Sequence, residues 1–289
     1  MIRFTGIIIL FFIANAVVFA QDTIVSNPKQ VAITLDDLPL VLIGRYDKEM
    51  QTKIFYDILN TLDKYKVKAT GFVVGNKITE QHHISFLQEF VKRGHLLGNH
   101  SFSHPDLNKI SIENYKLDIL KCDSIISPLI NGNKYFRYPL LHRGDSKLKK
   151  EKIYQYLKEQ DYKIASVSID NNDFTFNIPT LNAYLNRDTA ELNAIRIQYI
   201  KHMQSQIDYF SKLSNNKLGR DMKHVLLLHM NFSNSLFLED LLSMMKENGW
   251  EFIQLDAALK DPVYFIPDNY CGTKGLGWLE RITKELLTQ

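Results

Sequence analysis

Short apolar runs alternate with amphipathic stretches along most of this chain. Gln30–Leu35 predicts a buried strand and Lys68–Val74 a second. Between them Ile54, Ile58, Leu59, Leu62 and Tyr65 recur at helical spacing. A helix over Ile84–Lys92, with Phe86, Leu87 and Phe90 on its apolar side, leads into a short strand at 95–99. The spacing of Ile112, Tyr115, Ile119, Cys122 and Ile126 predicts a helix over about 111–126, and Tyr135–Tyr138 a strand closed by Pro139. Lys147–Gln160 is a charged helix with Ile153, Tyr156 and Leu157 inside, followed by a fifth strand at Ile164–Ile169. A long stripe of Leu192, Ile195, Tyr199, Met203, Ile207, Phe210 and Leu213 predicts a helix over roughly 189–213. The sixth strand is His224–His229; a helix at about 235–248 and a strand at Glu251–Leu255 complete the count.

Seven strands alternating with helices argue for a parallel sheet covered by helices. The strands are short and nearly all apolar, which suits burial on both faces. The pattern breaks after residue 260, where Tyr264, Phe265, Pro267, Tyr270 and Trp278 sit in an irregular, aromatic-rich stretch. Residues 261–289 are therefore expected to be a tail laid over a single domain that spans 21–289. The first twenty residues stand apart. Arg3 precedes an apolar run from Ile7 to Ile13, and Val18 and Ala20 fit the small-residue positions before a cleavage site. That pattern predicts a secretory signal peptide over 1–20, cleavage before Gln21, and a periplasmic or secreted protein without a lasting membrane anchor.

Composition removes several function classes. The formal net charge is +3 over 289 residues, which gives no nucleic-acid footprint. Two cysteines, Cys122 and Cys271, make no disulfide framework, although an oxidising compartment would allow them to pair.

The polar residues left over by the apolar pattern gather at one place. Asp36 and Asp37 follow the first strand, and His100 and His104 the third. Arg137 ends the fourth, Asp170 and Asp173 follow the fifth, and His229 ends the sixth. All lie at C-terminal strand ends, the face where barrel-like α/β folds build active sites. Pro105 disfavours a helical conformation at His104, so the two histidines are expected on a tight turn with both rings aimed at one point. One aspartate and two histidines suffice to hold a divalent metal with an open position. A second aspartate then suits a base acting on metal-activated water, and a histidine opposite suits an acid. Such a set fits hydrolysis of an amide or an ester.

Five ordered segments carry a resemblance. They are Thr34–Pro39 (TLDDLP), His100–His104 (HSFSH), Arg137–Leu140 (RYPL), Asp170–Phe174 (DNNDF) and Leu226–His229 (LLLH). Together they resemble the motifs of the polysaccharide deacetylases of the NodB-homology type, metal-dependent carbohydrate esterases. The match covers about Val31 to His229. The resemblance implies a distorted (β/α)7 barrel and removal of acetyl groups from an N-acetylated glycan, of chitooligosaccharide or peptidoglycan type. It implies that Asp37, His100 and His104 bind one divalent metal, usually zinc. Asp36 would be the general base, oriented by Arg137, and His229 the acid, tuned by Asp173. The backbone N–H of Leu140 would help hold the oxyanion, and Phe174 and Leu227 would line the pocket for the acetyl methyl group.

Three positions depart from the family pattern. Leu38 stands where glycine is usual, Leu140 where an aromatic residue is usual, and Phe174 where tryptophan is usual. A backbone donor survives the change at 140, and phenylalanine keeps an apolar wall while losing an indole N–H. These changes bear on substrate choice more than on mechanism. His142, Arg143, Asp145 and the helix over 189–213 fall outside the motifs and receive no role. The rival readings are an O-acetyl esterase of xylan type, a hydrolase of small cyclic amides, and a non-catalytic carbohydrate-binding protein on the same fold.

Overall fold

The computed structural model describes residues 28–130, 132–268 and 270–285, so the expected signal peptide lies outside the described residues. Its centre is β1 (Lys29–Leu38), buried along nearly its whole length. Every pairing in the sheet is parallel. From one edge of β1 the order runs through β2 (Thr70–Val73), β3 (Leu96–Asn99), β4 (Lys134–Phe136) and β5 (Tyr162–Ile164). On the other edge lies β6 (His224–His229), in register from Val31↔His224 to Asp36↔His229. The seventh strand, β7 (Trp250–Ile253), pairs with Lys29–Ala32 of β1. It takes the N-terminal part of the edge whose C-terminal part pairs with β2 from Thr34 onwards.

The sheet curls until its ends nearly meet. β5 lies ahead of the apolar run at 164–169 and shares only Ile164 with it, because the chain changes partner within that run. Ala165 N–H still donates to Phe136 of β4, at 2.9 Å. Ser168 N–H and Ile169 N–H already donate to Val225 of β6, and Ile169 bridges Leu226. An apolar pattern records burial on both faces but is blind to which neighbour supplies the ladder. This irregular crossing is what distorts the barrel.

Helices cover the outside: α1 (Lys48–Lys64), α2 (Gln81–Lys92), α3 (Ile112–Ile126), α4 (Lys147–Glu159), α5 (Asn177–Leu185), α6 (Thr189–Leu218) and α7 (Phe232–Glu247). Several begin on side-chain caps that satisfy a free backbone N–H. Asp47 accepts from Met50, Ser111 from Asn114, Asp188 from Glu191 and Asn231 from Asn234. α6 runs 30 residues and ends at Gly219, whose φ of 67° is the left-handed stop that glycine supplies without cost. α5 has no counterpart in the apolar pattern. Pro179 sits in its first turn, where a missing N–H is tolerated.

The last segment holds α8 (Leu255–Ala258) and α9 (Trp278–Glu285). Trp278 is buried; its backbone N–H donates to Val167 O and its indole to Val263 O. Cys122 and Cys271 are both free thiols; Cys122 is buried and Cys271 exposed. Among the described residues no helix is long and apolar enough to cross a membrane.

Candidate active site

β1 delivers two aspartates with different surroundings. The β1–β2 register slips between Leu35 and Leu38, and Asp37 takes a φ of 72°. This irregularity breaks the strict alternation of side chains and brings neighbouring carboxylates to one site. Asp36 is almost fully buried. The Arg137 guanidinium lies 3.4 Å from both its oxygens. Arg137 is itself held from three sides: it donates to Ala165 O at 2.7 Å and to the Thr34 hydroxyl at 3.1 Å, and its guanidinium lies 4.5 Å over the Phe72 ring. The ring has room there because residue 98 is glycine; a Cβ on Gly98 would meet it at 2.5 Å. Burial raises the Asp36 pKa to about 6, with Arg137 and His229 opposing.

The two histidines come from the turn after β3, as expected. Ser101 and His104 both have left-handed backbone, φ 65° and 55°. His100 Nδ1–H donates to Arg137 O at 2.8 Å, which leaves Nε2 as the lone-pair nitrogen. That nitrogen lies 4.0 Å from Asp37 Oδ1, and His104 Nε2 lies 3.8 Å from the same oxygen. Asp37 Oδ1 is buried and has no hydrogen-bond partner. Its companion Oδ2 is held by Lys77 at 3.3 Å. Burial would raise the Asp37 pKa, but Lys77, His229 and the two histidines outweigh it and keep the carboxylate ionised far below its ordinary range. Burial first, then His104, lowers the pKa of His100, so its ring is neutral.

These donors fit a divalent cation. Asp37, His100 and His104 offer one carboxylate oxygen and two imidazole nitrogens, all within 4.8 Å of one another. An unpartnered buried oxygen facing two nitrogen lone pairs is what a metal would satisfy. A second cluster, Glu80, His82 and His83, meets the same distance test. Its groups are already spent. His83 Nδ1 accepts the N–H groups of Thr79 and Glu80, both rings meet Gln51 Oε1, and Glu80 pairs with Lys48. That cluster is explained as the cap of α2.

Across the site His229 ends β6. Its Nδ1–H donates to Asp173 Oδ1 at 2.6 Å. The other oxygen of Asp173 accepts from His229 N–H, Asn231 and Asn234. Asp173 is fully buried, and these donors fix its orientation. Burial lowers the His229 pKa, but Asp173 outweighs it, with Asp37 and Asp36 adding, and the imidazole rises to about 9. Phe174 is half exposed, with its ring edge-on to His229 at 5.6 Å. Leu227 is buried and its carbonyl accepts from Asn171 at 2.5 Å. Leu140 is 51% exposed on the turn after β4. Asp170 is half-buried, and desolvation raises its pKa.

Residues 24–165 match the model of the family described as polysaccharide deacetylase. That segment, 142 of the 289 residues, belongs to the polysaccharide deacetylase family. It is 31% identical over 149 residues to a peptidoglycan-N-acetylglucosamine deacetylase of Bacillus cereus, a match covering 51% of this chain and 47% of that one. The chain thus spans less than half the length of that relative. Its fold is shared with a chitin deacetylase from Colletotrichum lindemuthianum, with a TM-score of 0.55 at 20% identity over 85% of this chain and 92% of the other. It is shared equally with a CE4 family pseudoenzyme from Bacillus anthracis, with a TM-score of 0.55 at 18% identity over 81% and 66%. Membership and fold therefore leave activity to be argued from side chains. Asp173 and His229 lie beyond the matched segment, and the curled sheet brings them to the others.

Several residues that hold this polysaccharide deacetylase site together carry no signal in the sequence pattern. Thr34 is one of a run of buried strand residues until its hydroxyl is seen on Arg137. Lys77 follows β2 by four residues and meets Asp37 only in three dimensions. From α6, Tyr199 donates to Asn234 Oδ1 at 2.6 Å and His202 Nε2–H to Asn171 O at 2.5 Å. Both partners touch the Asp173–His229 pair or its loop, so the long helix steadies the acid side of the site.

Proposed function

We propose that this chain is a metal-dependent N-deacetylase of an acetylated glycan, of chitooligosaccharide or peptidoglycan type. The observation that carries this reading is the division of labour between adjacent aspartates. Asp36 is clasped by a buried arginine, while Asp37 turns an unpartnered oxygen to two histidine nitrogens. Asp37, His100 and His104 would hold the ion, with zinc favoured by the donor set. When bound, a divalent cation polarises an acyl carbonyl and makes water more acidic.

The chain's own residues do the rest. Asp36, kept in line by Arg137, takes a proton from the attacking water as its oxygen bonds to the acyl carbon. The Leu140 N–H donates to the oxygen that gains negative charge. His229, held by Asp173, donates its Nε2 proton to the leaving nitrogen. The carbon–nitrogen bond breaks, and acetate and a free amine depart. Phe174 and Leu227 flank the place of the acyl methyl group and exclude water from it. The N-terminal pattern at 1–20 supports export, where such glycans are found.

Acetate release from acetylated chitooligosaccharides, peptidoglycan and acetylxylan, each with and without chelator, tests the reading. Release from an N-acetylated glycan should stop with chelator and return with zinc. Release from acetylxylan alone would make the protein an O-acetyl esterase. Glycan binding with no acetate from any substrate would make it a binding protein on this fold.

A further inference from the structure

The turn that carries Leu140 is costly to form. Leu140 and Leu141 both have left-handed backbone, φ 55° and 56°, a region that branched L-residues avoid. Such a conformation persists only where its surroundings hold it. Here the surroundings include a segment some 130 residues further along the chain.

Gly275 lies directly on this turn. A Cβ built on it would fall 1.9 Å from Leu140 O and 3.1 Å from the His142 ring. Two residues earlier, Thr273 O accepts from Asn108 Nδ2 at 3.1 Å. Asn108 N–H donates to Asp106 Oδ1 at 2.9 Å, and the same oxygen accepts from His142 Nδ1–H at 2.7 Å. A closed ring of contacts therefore ties residues 273–275 to the Leu140 turn and to the segment just after His104. Behind it the same strand of chain is anchored by charge. Asp268 lies 3.3 Å from Arg143 and 2.8 Å from Arg281. Tyr270 O accepts from Lys150 at 2.8 Å and from Arg281 at 3.1 Å. Trp278 closes the anchor, with the Arg143 guanidinium 5.0 Å over its ring.

We propose that residues 270–277 form a strap that seats the Pro139–Leu141 turn, with Gly275 as a positioning residue that sets where the Leu140 N–H points. The proposal rests on the deacetylase reading for the use made of that N–H, but the seating itself is a separate physical claim. Glycine is required at 275 because any side chain would push Leu140 O away and rotate the neighbouring peptide. His142 and Arg143, outside the shared motifs, then have a reason to be where they are: one meets the strap at Gly275, and the other anchors it.

The test compares Gly275→Ala with Gly272→Ala in the full-length protein. Gly272 is on the same strap, and the atoms nearest a Cβ there belong to the Tyr270 side chain, the hydroxyl at 2.7 Å. Hydrogen exchange of the peptide covering 138–144 should quicken in Gly275→Ala and stay as wild type in Gly272→Ala. With an N-acetylated chitooligosaccharide, kcat of Gly275→Ala should fall about 10–100-fold, short of the 10²–10³ seen when an oxyanion donor is lost outright. KM and bound zinc per chain should stay near wild type, a split that general destabilisation does not give. Should Gly275→Ala fold poorly, Asn108→Ala cuts the Thr273 contact more gently and should quicken the same exchange. Unchanged exchange at 138–144 in both variants overturns the proposal, as does a kcat loss that merely follows the loss of folded protein in Gly272→Ala and Gly275→Ala alike. Quickened exchange in a protein whose wild type releases no acetate would uphold the seating and strike instead at the deacetylase reading.

Discussion

Asp36 and Asp37 are neighbours in the chain, and their surroundings pull them apart. Asp36 faces Arg137 in the interior, and Asp37 faces two neutral imidazoles. Asp36→Asn should keep the metal and lose turnover by about 10²–10⁴-fold, the size of a general-base contribution. His104→Ala should lose metal instead. Metal content and acetate release measured on the same preparations separate the two roles; metal loss in Asp36→Asn would reverse the assignment. His229→Ala should slow an amide more than an activated ester, because a good leaving group needs less protonation. Equal loss on both substrates would make His229 structural. At this scale the sequence was informative for residues whose type is chemically specific. Two histidines before a proline and two aspartates after an apolar strand stand out in any reading. Thr34 and Lys77 do not, because a hydroxyl in a strand and a lysine after one have many ordinary uses. Their function lies in which side chain they meet, and that is decided by residues a hundred or forty positions away.

The strands were legible because burial on both faces leaves a run that periodicity detects, and β6 was found at its observed limits. What escaped was the partner change between Ala165 and Ile169, and α5, whose early proline looks like a stop. The helix over 189–213 was found but its purpose was not. α6 faces the acid side of the site through Tyr199 and His202. Tyr199→Phe would leave Asn234 Oδ1 buried without its donor, at a cost of about 1–3 kcal/mol. Part of that cost should appear as a freer Asn234, which now donates to Asp173 and to His229 O. The variant should lose stability in thermal unfolding. It should also move the basic limb of the pH–rate profile, since the carboxylate that supports His229 is less firmly held. A stability loss with an unchanged profile would restrict Tyr199 to packing.

Across the whole molecule, a curled sheet gathers side chains from six strand ends, and a C-terminal strap lies against one of the turns. The aromatic-rich tail was visible in the sequence as a change of pattern. Where it docks was not, because the anchors are single charges, Arg143, Lys150, Asp268 and Arg281, spread over residues 143 to 281 with no periodicity. Those charges make the strap sensitive to acid. Burial would raise the Asp268 pKa, but Arg143 and Arg281 outweigh it and hold the carboxyl below its ordinary value. A depressed pKa in the folded state means the stabilisation is complete above the unfolded value of about 3.9 and is lost as pH falls through the folded one. Protonation leaves the Arg143 and Arg281 guanidinium groups without their carboxylate, and the loss of one partner of a desolvated pair weakens the contact it held. The strap should therefore loosen on acidification before the barrel does. The chain has two tryptophans, and Trp278 sits under the strap's anchor. In a Trp250→Phe background its emission should shift red, reversibly, below about pH 4, ahead of the far-ultraviolet circular dichroism transition. Adding Asp268→Asn should bring the shift to neutral pH and remove its dependence on acid. A single transition seen by both probes, unmoved by Asp268→Asn, would show that the strap and barrel unfold as one unit and that Asp268 does not control the strap.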